Sequence, residues 1–515
     1  MLEFILLIMS LIIIYYLFQN KQPKPPINNK IIKIIIVGGG WAGISTAYVL
    51  SHYKKFNITL IEKENKIGGE AVSTVMKNCN VEYNGQIYYD LFYCVKKILK
   101  DSNLENALCP INPTIILNNK NYLSLETIFD KYNSYELLKY YGVDDITCLK
   151  FFYLLLLPPF ILETFYTNTS FTDYLNNYDV FKMICGPLLG LESKKVCVAT
   201  VINIIRDRIG KNTYGLNKTA CAPSNFMYNH LKTFLESRGV NIRLNTECTE
   251  LIKKNNKITK IKINHNSNNT YLDCDEVILS CSLNSLIHLF KKFNDRSFNK
   301  QLINLTSCLQ NYFEMNLYFS EPLGLAKNYI LLEQPWQPSI ETKRTKNWVA
   351  YIKSSCNSKI KDVWSVGVID FYKGYNGKIL RECSLEEAID ETINQMMKNN
   401  YISKLKSETG KTFKDLLIGA EAHNFWRNKN GKIYTTNPKF SLNINSSENL
   451  LDFNYKSIPN VWFANYCCKP ALRFGSSMEI SSYIGFKCSE LICDKYNLKL
   501  PLEINKTLMS FSSGK

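Results

Sequence analysis

The chain has little that would support metal or thiol chemistry. Its 515 residues include only five histidines, and none stands at metal-ligand spacing. Seventeen cysteines are irregularly spaced, odd in number and without a CxxC pair. That pattern excludes a zinc site, argues against a disulfide framework, and predicts mostly reduced thiols in a cytosol-like compartment. The adjacent Cys467 and Cys468 read as coincidence in a cysteine-rich chain. No arginine-rich stripe and no nucleic-acid motif accompany the net charge of +17, so the charge is diffuse and no nucleic-acid partner is expected. Lysine, asparagine and isoleucine are over-used throughout, a sign of an AT-rich coding genome such as those of giant viruses and some protists. No internal repeat is present. With 46% apolar and 21% charged residues the chain is not disordered, and its length exceeds one compact core.

Long hydrophobic runs are also scarce. The exception is residues 2–19, LEFILLIMSLIIIYYLFQ, in which only Glu3 is charged. No basic segment precedes this run and no small-residue cleavage site follows it, which disfavours a removable signal peptide. Its length approaches the ~20 residues of a membrane span. Lys21, Lys24, Lys30 and Lys33 follow it, so the reading is a single-pass anchor over 1–20 with the body on the cytoplasmic side. Residues 21–30 form a proline-rich linker. The shorter run FFYLLLLPPFIL (151–162) is broken by Pro158 and Pro159 and predicts core of a second lobe, with a membrane-touching lip as the alternative.

What is present is concentrated at 31–69. Ile34, Ile35, Ile36 and Val37 read as a buried parallel strand. Gly38, Gly40 and Gly43 follow with the spacing G-x-G-x-x-G and open an apolar helix through Ala47, Val49 and Leu50. Such glycines serve a tight turn, close backbone approach to a pyrophosphate, and helix-on-strand packing. A second strand, Ile58 to Ile61, ends in Glu62, placed to accept hydrogen bonds from an adenosine ribose. Strand, glycine turn, helix, strand and terminal acid together predict a dinucleotide site.

Further on, NFMYNHLKTFLESRGV (225–240) reads as an amphipathic helix, followed by strands joined by a polar turn. DEVILSCSLNSLIHLF reads as a strand feeding a helix, and VWFANYCCKPALRFGSSMEISSYIGFKCSELI as strand, loop, helix. The fold expected is α/β: a discontinuous Rossmann-type dinucleotide-binding domain with an inserted mixed α+β substrate domain, preceded by the transmembrane helix. The cofactor domain is expected in three parts, 31–90, 221–300 and 451–496. The substrate domain takes 91–220 and 301–450, and 497–515 is a tail.

In order, VGGGWAGIS with Glu62, IGGEAVST (67–74), the 225–252 block and the closing NVWFANYCCKPALRFGSSMEISSYIGF resemble the flavin-containing amine oxidase and phytoene desaturase superfamily. The short match VEYNGQIYY (81–89) points the same way. The resemblance covers about a third of the chain. It implies noncovalent FAD extended across the cofactor domain. Gly38, Gly40, Trp41, Ala42 and Gly43 would line the pyrophosphate, Glu62 and Lys63 the adenosine ribose, and Gly68, Gly69 and Glu70 a close backbone approach. Cys248 and Thr249 would mark the adenine side, and Asn465, Met478 and Glu479 the ribityl and isoalloxazine end. Glu70 stands where the family usually has arginine, Asn465 where it has aspartate, and Ser477 where amine oxidases place an aromatic. Glu314, in NYFEMNLYFSEPL, aligns with the lysine near the flavin N5.

These departures favour a membrane-anchored oxidoreductase abstracting hydride from an apolar or lipid-like substrate. The alternatives are an amine or amino-acid oxidase, with Tyr466 in an atypical cage, and a non-catalytic structural or virion-associated flavoprotein. No catalytic residue is assigned and oligomeric state is not legible. His423 is a candidate base, but a lone histidine beside aromatics is more often structural.

Overall fold

The computed structural model describes residues 30–513 apart from short internal segments, the longest being 83–87, 117–121, 125–132, 186–194, 210–216, 441–445 and 470–476. The expected anchor (1–20) and nearly all of the linker therefore lie outside the described residues, as does most of the 81–89 match. Among the described residues no single helix is long and apolar enough to cross a membrane.

The first lobe is built on strand β1 (Ile32–Val37), helix α1 (Trp41–Leu50) and strand β2 (Phe56–Ile61). β1 is buried on both faces, as its unbroken β-branched run requires. It pairs in parallel with β2 from Ile32↔Phe56 to Val37↔Ile61, and on its other side with strand Glu276–Leu279. Strand Asn241–Arg243 lies outside β2, and strand Val461–Phe463 outside Glu276–Leu279, giving five parallel strands. The chain fills one side of β1 first and then the other. A crevice therefore opens at the carboxyl ends of β1 and Glu276–Leu279, where such sheets bind ligands. A three-stranded antiparallel meander, Thr246–Lys254, Lys257–His265 and Asn268–Asp273, accompanies the sheet.

All ten residues of α1 are buried, because helix Met478–Lys495 covers it. Gly485 permits that contact: a Cβ there would lie 2.5 Å from the Ala42 carbonyl oxygen. The core of this lobe also takes in Val95, Ile98 and Leu99, Leu302 and Leu305, and Ile504 and Leu508. It thus reaches past the expected limits at 90 and 300, and the expected tail contains helix Leu502–Ser513 packed on the lobe. Amphipathic spacing in 93–101 and 502–513 carries that signal.

The second lobe holds a seven-stranded sheet. Its order is Leu417–Ala422, Tyr312–Phe319, Asp362–Ile369, Ser339–Thr342, Tyr329–Leu332, Thr114–Ile116 and Tyr122–Ser124. Strands from both expected halves of the substrate domain meet where Thr114–Ile116 pairs with Tyr329–Leu332. Phe313, Met315, Leu317 and Phe319 alternate onto an apolar face with Trp364, Val366 and Val368. A separate helical core contains Phe151, Leu154 and Leu162 from helices Asp145–Leu156 and Pro159–Phe165, which are bent by 115° at Pro158.

Cysteine usage departs from expectation. Cys79 bonds Cys356 and Cys109 bonds Cys221, with Cα separations of 4.8 and 5.1 Å. The partners stand 277 and 112 residues apart, a separation from which spacing reveals nothing. The other thirteen cysteines are free thiols, among them Cys467 and Cys468, which are both buried.

Candidate functional site

The glycine turn after β1 is fixed from beneath and open above. Gly38 has φ +111°, and a Cβ there would meet the Ser280 carbonyl oxygen at 2.8 Å. The Ser280 hydroxyl lies 2.9 Å from both the Val37 and Gly38 carbonyl oxygens, tying the turn to the neighbouring strand. A Cβ at Gly43 would lie 1.9 Å from the Gly38 oxygen, so helix and strand close only around glycine. At Gly40 the situation is opposite. A Cβ there would find only the Gly69 Cα, at 3.9 Å, so among the described residues nothing fills the space over this residue. Gly40 also begins α1 without a side-chain cap and without an acid in the first turn, which leaves the leading N–H groups to an anion.

A second glycine pair lies against the first. Gly68 N–H donates to the Gly39 carbonyl at 2.8 Å, and Gly69, at φ +59°, approaches Gly40. Gly68, at φ +120°, sits on the ring of Tyr228, whose hydroxyl accepts the Trp41 indole N–H at 2.9 Å. Trp41 and Ala42 are thus packing residues that hold α1 against Tyr228 and Gly485.

Glu62 stands at the end of β2, against the glycine turn. It is buried; its Oε2 accepts Gly39 N–H at 2.7 Å and its Oε1 accepts Glu64 N–H at 3.0 Å. Burial pushes its carboxyl above the ordinary value, while these two amides favour the charged form. Each oxygen retains a further lone pair, the capacity that ribose hydroxyls would use. Cys281 and Cys248 lie nearby, their thiols raised to about 12, chiefly by burial. Thr249 sits at a bulge in its strand. Lys63 points to solvent and pairs with Glu64 at 3.7 Å. Glu70 is exposed and acts electrostatically on Tyr466.

The closing block splits in two. Asn465 is buried; its amide donates to the Cys281 carbonyl and its Oδ1 accepts Cys467 N–H at 2.8 Å, joining the loops after two sheet strands. Met478 is half-buried on the first-lobe core. Glu479 instead caps helix Tyr93–Asp101, its two oxygens accepting Cys94 N–H at 2.8 Å and Val95 N–H at 3.0 Å. Burial pushes its carboxyl up to about 7. Ser477 caps helix Met478–Lys495 by accepting Ile480 N–H. Residues 470–476 lie outside the described residues.

Facing the first lobe's hairpin, the second-lobe sheet presents a largely buried polar surface. Register sets Glu421, Asn316, Ser365 and Glu341 in one row and Glu314, Gly367 and Ser339 in the next. Asn316 Nδ2 donates to His423 Nε2 at 3.0 Å, which leaves the ring proton on Nδ1, and Asn316 Oδ1 accepts the Ser365 hydroxyl at 2.9 Å. Glu314 is buried beside them, its carbonyl accepting His423 N–H at 3.1 Å. Lys343 and Glu341 form a buried ion pair at 2.7 Å, with Lys343 5.3 Å from the Trp348 ring centre. Glu82 accepts the Ser224 N–H and hydroxyl, each at 2.8 Å, and burial raises it to about 7. The hairpin of strands Thr74–Met76 and Cys79–Val81 reaches this surface from the first lobe: Lys77 lies 5.1 Å from the Tyr318 ring centre, and Asn316 contacts the Met76 sulfur at 3.7 Å. Sequence reasoning singled out Glu314 and His423 but not Glu82, Asn316, Glu341 and Lys343. Polar residues at alternate positions of the apolar strand YFEMNLYF were the available signal.

Comparison with known proteins agrees with this geometry. Residues 36–101 match the NAD(P)-binding Rossmann-like domain family. No curated protein matches the chain by sequence. Among solved structures the chain is similar to an oxidoreductase from Methanosarcina mazei (TM-score 0.60, 13% identity, 89% of this chain and all of that one). It is also similar to putrescine oxidase bound to putrescine (0.60, 11%, 90% and 99%) and to a fatty acid isomerase from P. acnes that produces CLA (0.56, 12%, 90% and 98%). The fold of this chain is the one these solved structures share, with a Rossmann-like domain at its start.

Proposed function

We propose that the protein binds FAD noncovalently and oxidises an apolar or lipid-like substrate by removing hydride from carbon. The observation that carries this reading is the unfilled space over Gly40, flanked by Gly69 and the uncapped start of α1, with Glu62 at the end of the adjacent strand. The residues fit the cofactor: amides of the 38–43 turn would hold its pyrophosphate, and the free lone pairs of Glu62 its ribose hydroxyls. Bound FAD supplies the two-electron acceptor. The chain supplies orientation and a dry environment: Trp41, Tyr228 and Asn465 fix the turns around the site, and the buried sheet surface keeps water from the reacting carbon.

A second reading, amine oxidation, draws on the same surface. Among the described residues Glu314, Glu341 and Glu421 bring three carboxylates to it against Lys343 and the hairpin's Lys77, a balance that leans towards a cationic substrate. The test is the absorption spectrum of the purified chain with mass analysis of cofactor released by denaturation. Anaerobic titration with long-chain unsaturated or isoprenoid compounds, and separately with mono- and diamines, then follows. Colourless protein that FAD does not reconstitute overturns the flavoprotein reading; bleaching by amines alone replaces the apolar substrate with an amine.

A further inference from the structure

The bent helix pair Asp145–Leu156 and Pro159–Phe165 is apolar on both its inner and outer sides. Inward, Cys148, Phe151, Leu154 and Leu162 are buried in the helical core of the second lobe. Outward, Ile146, Leu149, Tyr153 and Leu156 follow one another at helical spacing and are exposed, and Phe160 and Phe165 continue the exposed ridge beyond the bend. Leu156, at the corner, is 82% exposed, the most of any large apolar residue among those described. A water-facing helix ordinarily carries charge on its outer side, and monomeric proteins seldom leave so large an apolar patch open. Past the first turn the only charges on the pair are Lys150 and Glu163.

We infer that this ridge docks in one leaflet of a lipid bilayer. Neither helix can span: at 12 and 7 residues they measure about 18 and 10 Å, against a hydrocarbon core of ~30 Å. Lying in the interface is the geometry that remains for an apolar edge of this length. The shape selects lipid over a second protein surface, since a convex corner with its largest apolar residue at the tip offers no groove, whereas fluid acyl chains conform to it. Tyr153 and Tyr135 are exposed on the same helical region, aromatic rings with polar tips of the kind that settle at headgroup level. Charge does not drive the contact: residues 133–165 carry Glu136, Asp144, Asp145 and Glu163 against Lys139 and Lys150, so the apolar ridge itself carries the docking. The apolar run 2–19 would hold the body within reach of the same membrane, but the ridge is a separate contact, independent of the flavin reading.

The tryptophans make the test clean. All six, Trp41, Trp336, Trp348, Trp364, Trp426 and Trp462, are buried. A Phe160→Trp variant of the full chain therefore carries one exposed indole, and a Phe165→Trp variant gives a second position should the first misfold. On vesicles of phosphatidylcholine with phosphatidylglycerol and brominated acyl chains, the introduced indole is expected to shift to the blue and lose roughly half its emission or more. The unsubstituted chain is expected to change little. Adding Leu156→Ser and Leu149→Ser should abolish the quenching even where run 2–19 keeps the protein on the vesicle, as flotation would report. An unquenched indole on vesicle-bound protein overturns the inference. So does an indole already blue-shifted and shielded without lipid, which would mean that the chain's own segment or a second copy covers the ridge.

Discussion

Asn316 and His423 are held together across two chain segments, the Asn316 amide donating to His423 Nε2 at 3.0 Å while its oxygen accepts Ser365 at 2.9 Å. All three residues are buried, so the pair fixes the imidazole without help from solvent. Asn316→Leu should strand a ring nitrogen and a hydroxyl, at about 1–3 kcal/mol for each buried group left without its partner. Ser365→Ala removes one bond and leaves the ring contact intact, and should cost about 1 kcal/mol. Urea denaturation of the two variants checks the order. Equal losses would mean that the Asn316–His423 contact contributes nothing.

Glu479 and Glu82 make stability depend on pH in an unusual direction. Both carboxyls are raised to about 7, with burial the leading cause. A carboxyl raised on folding binds its proton more tightly in the native state. Its contribution is therefore complete below the unfolded value near 4.5 and is lost as pH rises through about 7. Between pH 4.5 and 7 each group should withdraw stability, up to about 3 kcal/mol per group. Glu479→Gln should flatten this slope while retaining one polar contact to the helix it caps. Denaturation midpoints from pH 5 to 8 provide the measurement, and a slope unchanged by the substitution would contradict the assignment.

The glycine turn separates folding from binding. Gly40→Val places a side chain in space the protein leaves open, so the fold should persist while FAD binding is lost. Gly43→Ala instead drives a methyl to 1.9 Å from the Gly38 oxygen and should unfold the lobe. Glu62→Ala should weaken FAD binding by about 1.5–3 kcal/mol, the range of a hydrogen bond to a charged group. Circular dichroism alongside FAD titration distinguishes the three; a Gly40→Val protein that binds FAD normally would remove the cradle assignment.

The first βαβ unit was legible because its chemistry is local: three glycines, a β-branched strand and a terminal acid within about thirty residues determine one another. Glu479 was not, since its role depends on helix Tyr93–Asp101 arriving from almost four hundred residues away to present two amides. The same holds for Cys79 with Cys356 and for the row Asn316, Ser365, Glu341, which only strand register assembles. Local pattern identifies elements. Contacts made by chain reversal across lobes leave no spacing to read.

The two disulfides tie distant parts of the chain. Cys79 lies in the hairpin that reaches from the cofactor lobe, and Cys356 just past helix Lys346–Ser355 of the other lobe. Peptide mapping without reductant should recover Cys79–Cys356 and Cys109–Cys221 as linked pairs, with the other thiols free. Cys79→Ser with Cys356→Ser should cost about 2–5 kcal/mol, the usual loss for a native disulfide. Recovery of all four as free thiols in protein from its native compartment would return the chain to the reducing environment that its irregular cysteine spacing suggested.

Glu314 discriminates the two substrate readings. It is buried in the row beside Asn316, on the sheet surface that faces the cofactor lobe's hairpin. A protonated amine held near this surface would draw part of its binding from the carboxylate, and at short range that attraction is worth several-fold to a hundredfold in affinity. For a cationic substrate Glu314→Gln should therefore raise KM by about ten- to a hundredfold with little change in kcat. For an apolar substrate the same substitution replaces a carboxyl that the substrate does not use, so KM should stay within about threefold. Steady-state kinetics on whichever class turns over decides between them. An amine substrate whose KM ignores Glu314→Gln would mean that this carboxylate does not face the bound substrate, and Glu341 and Glu421 would then be the groups to replace.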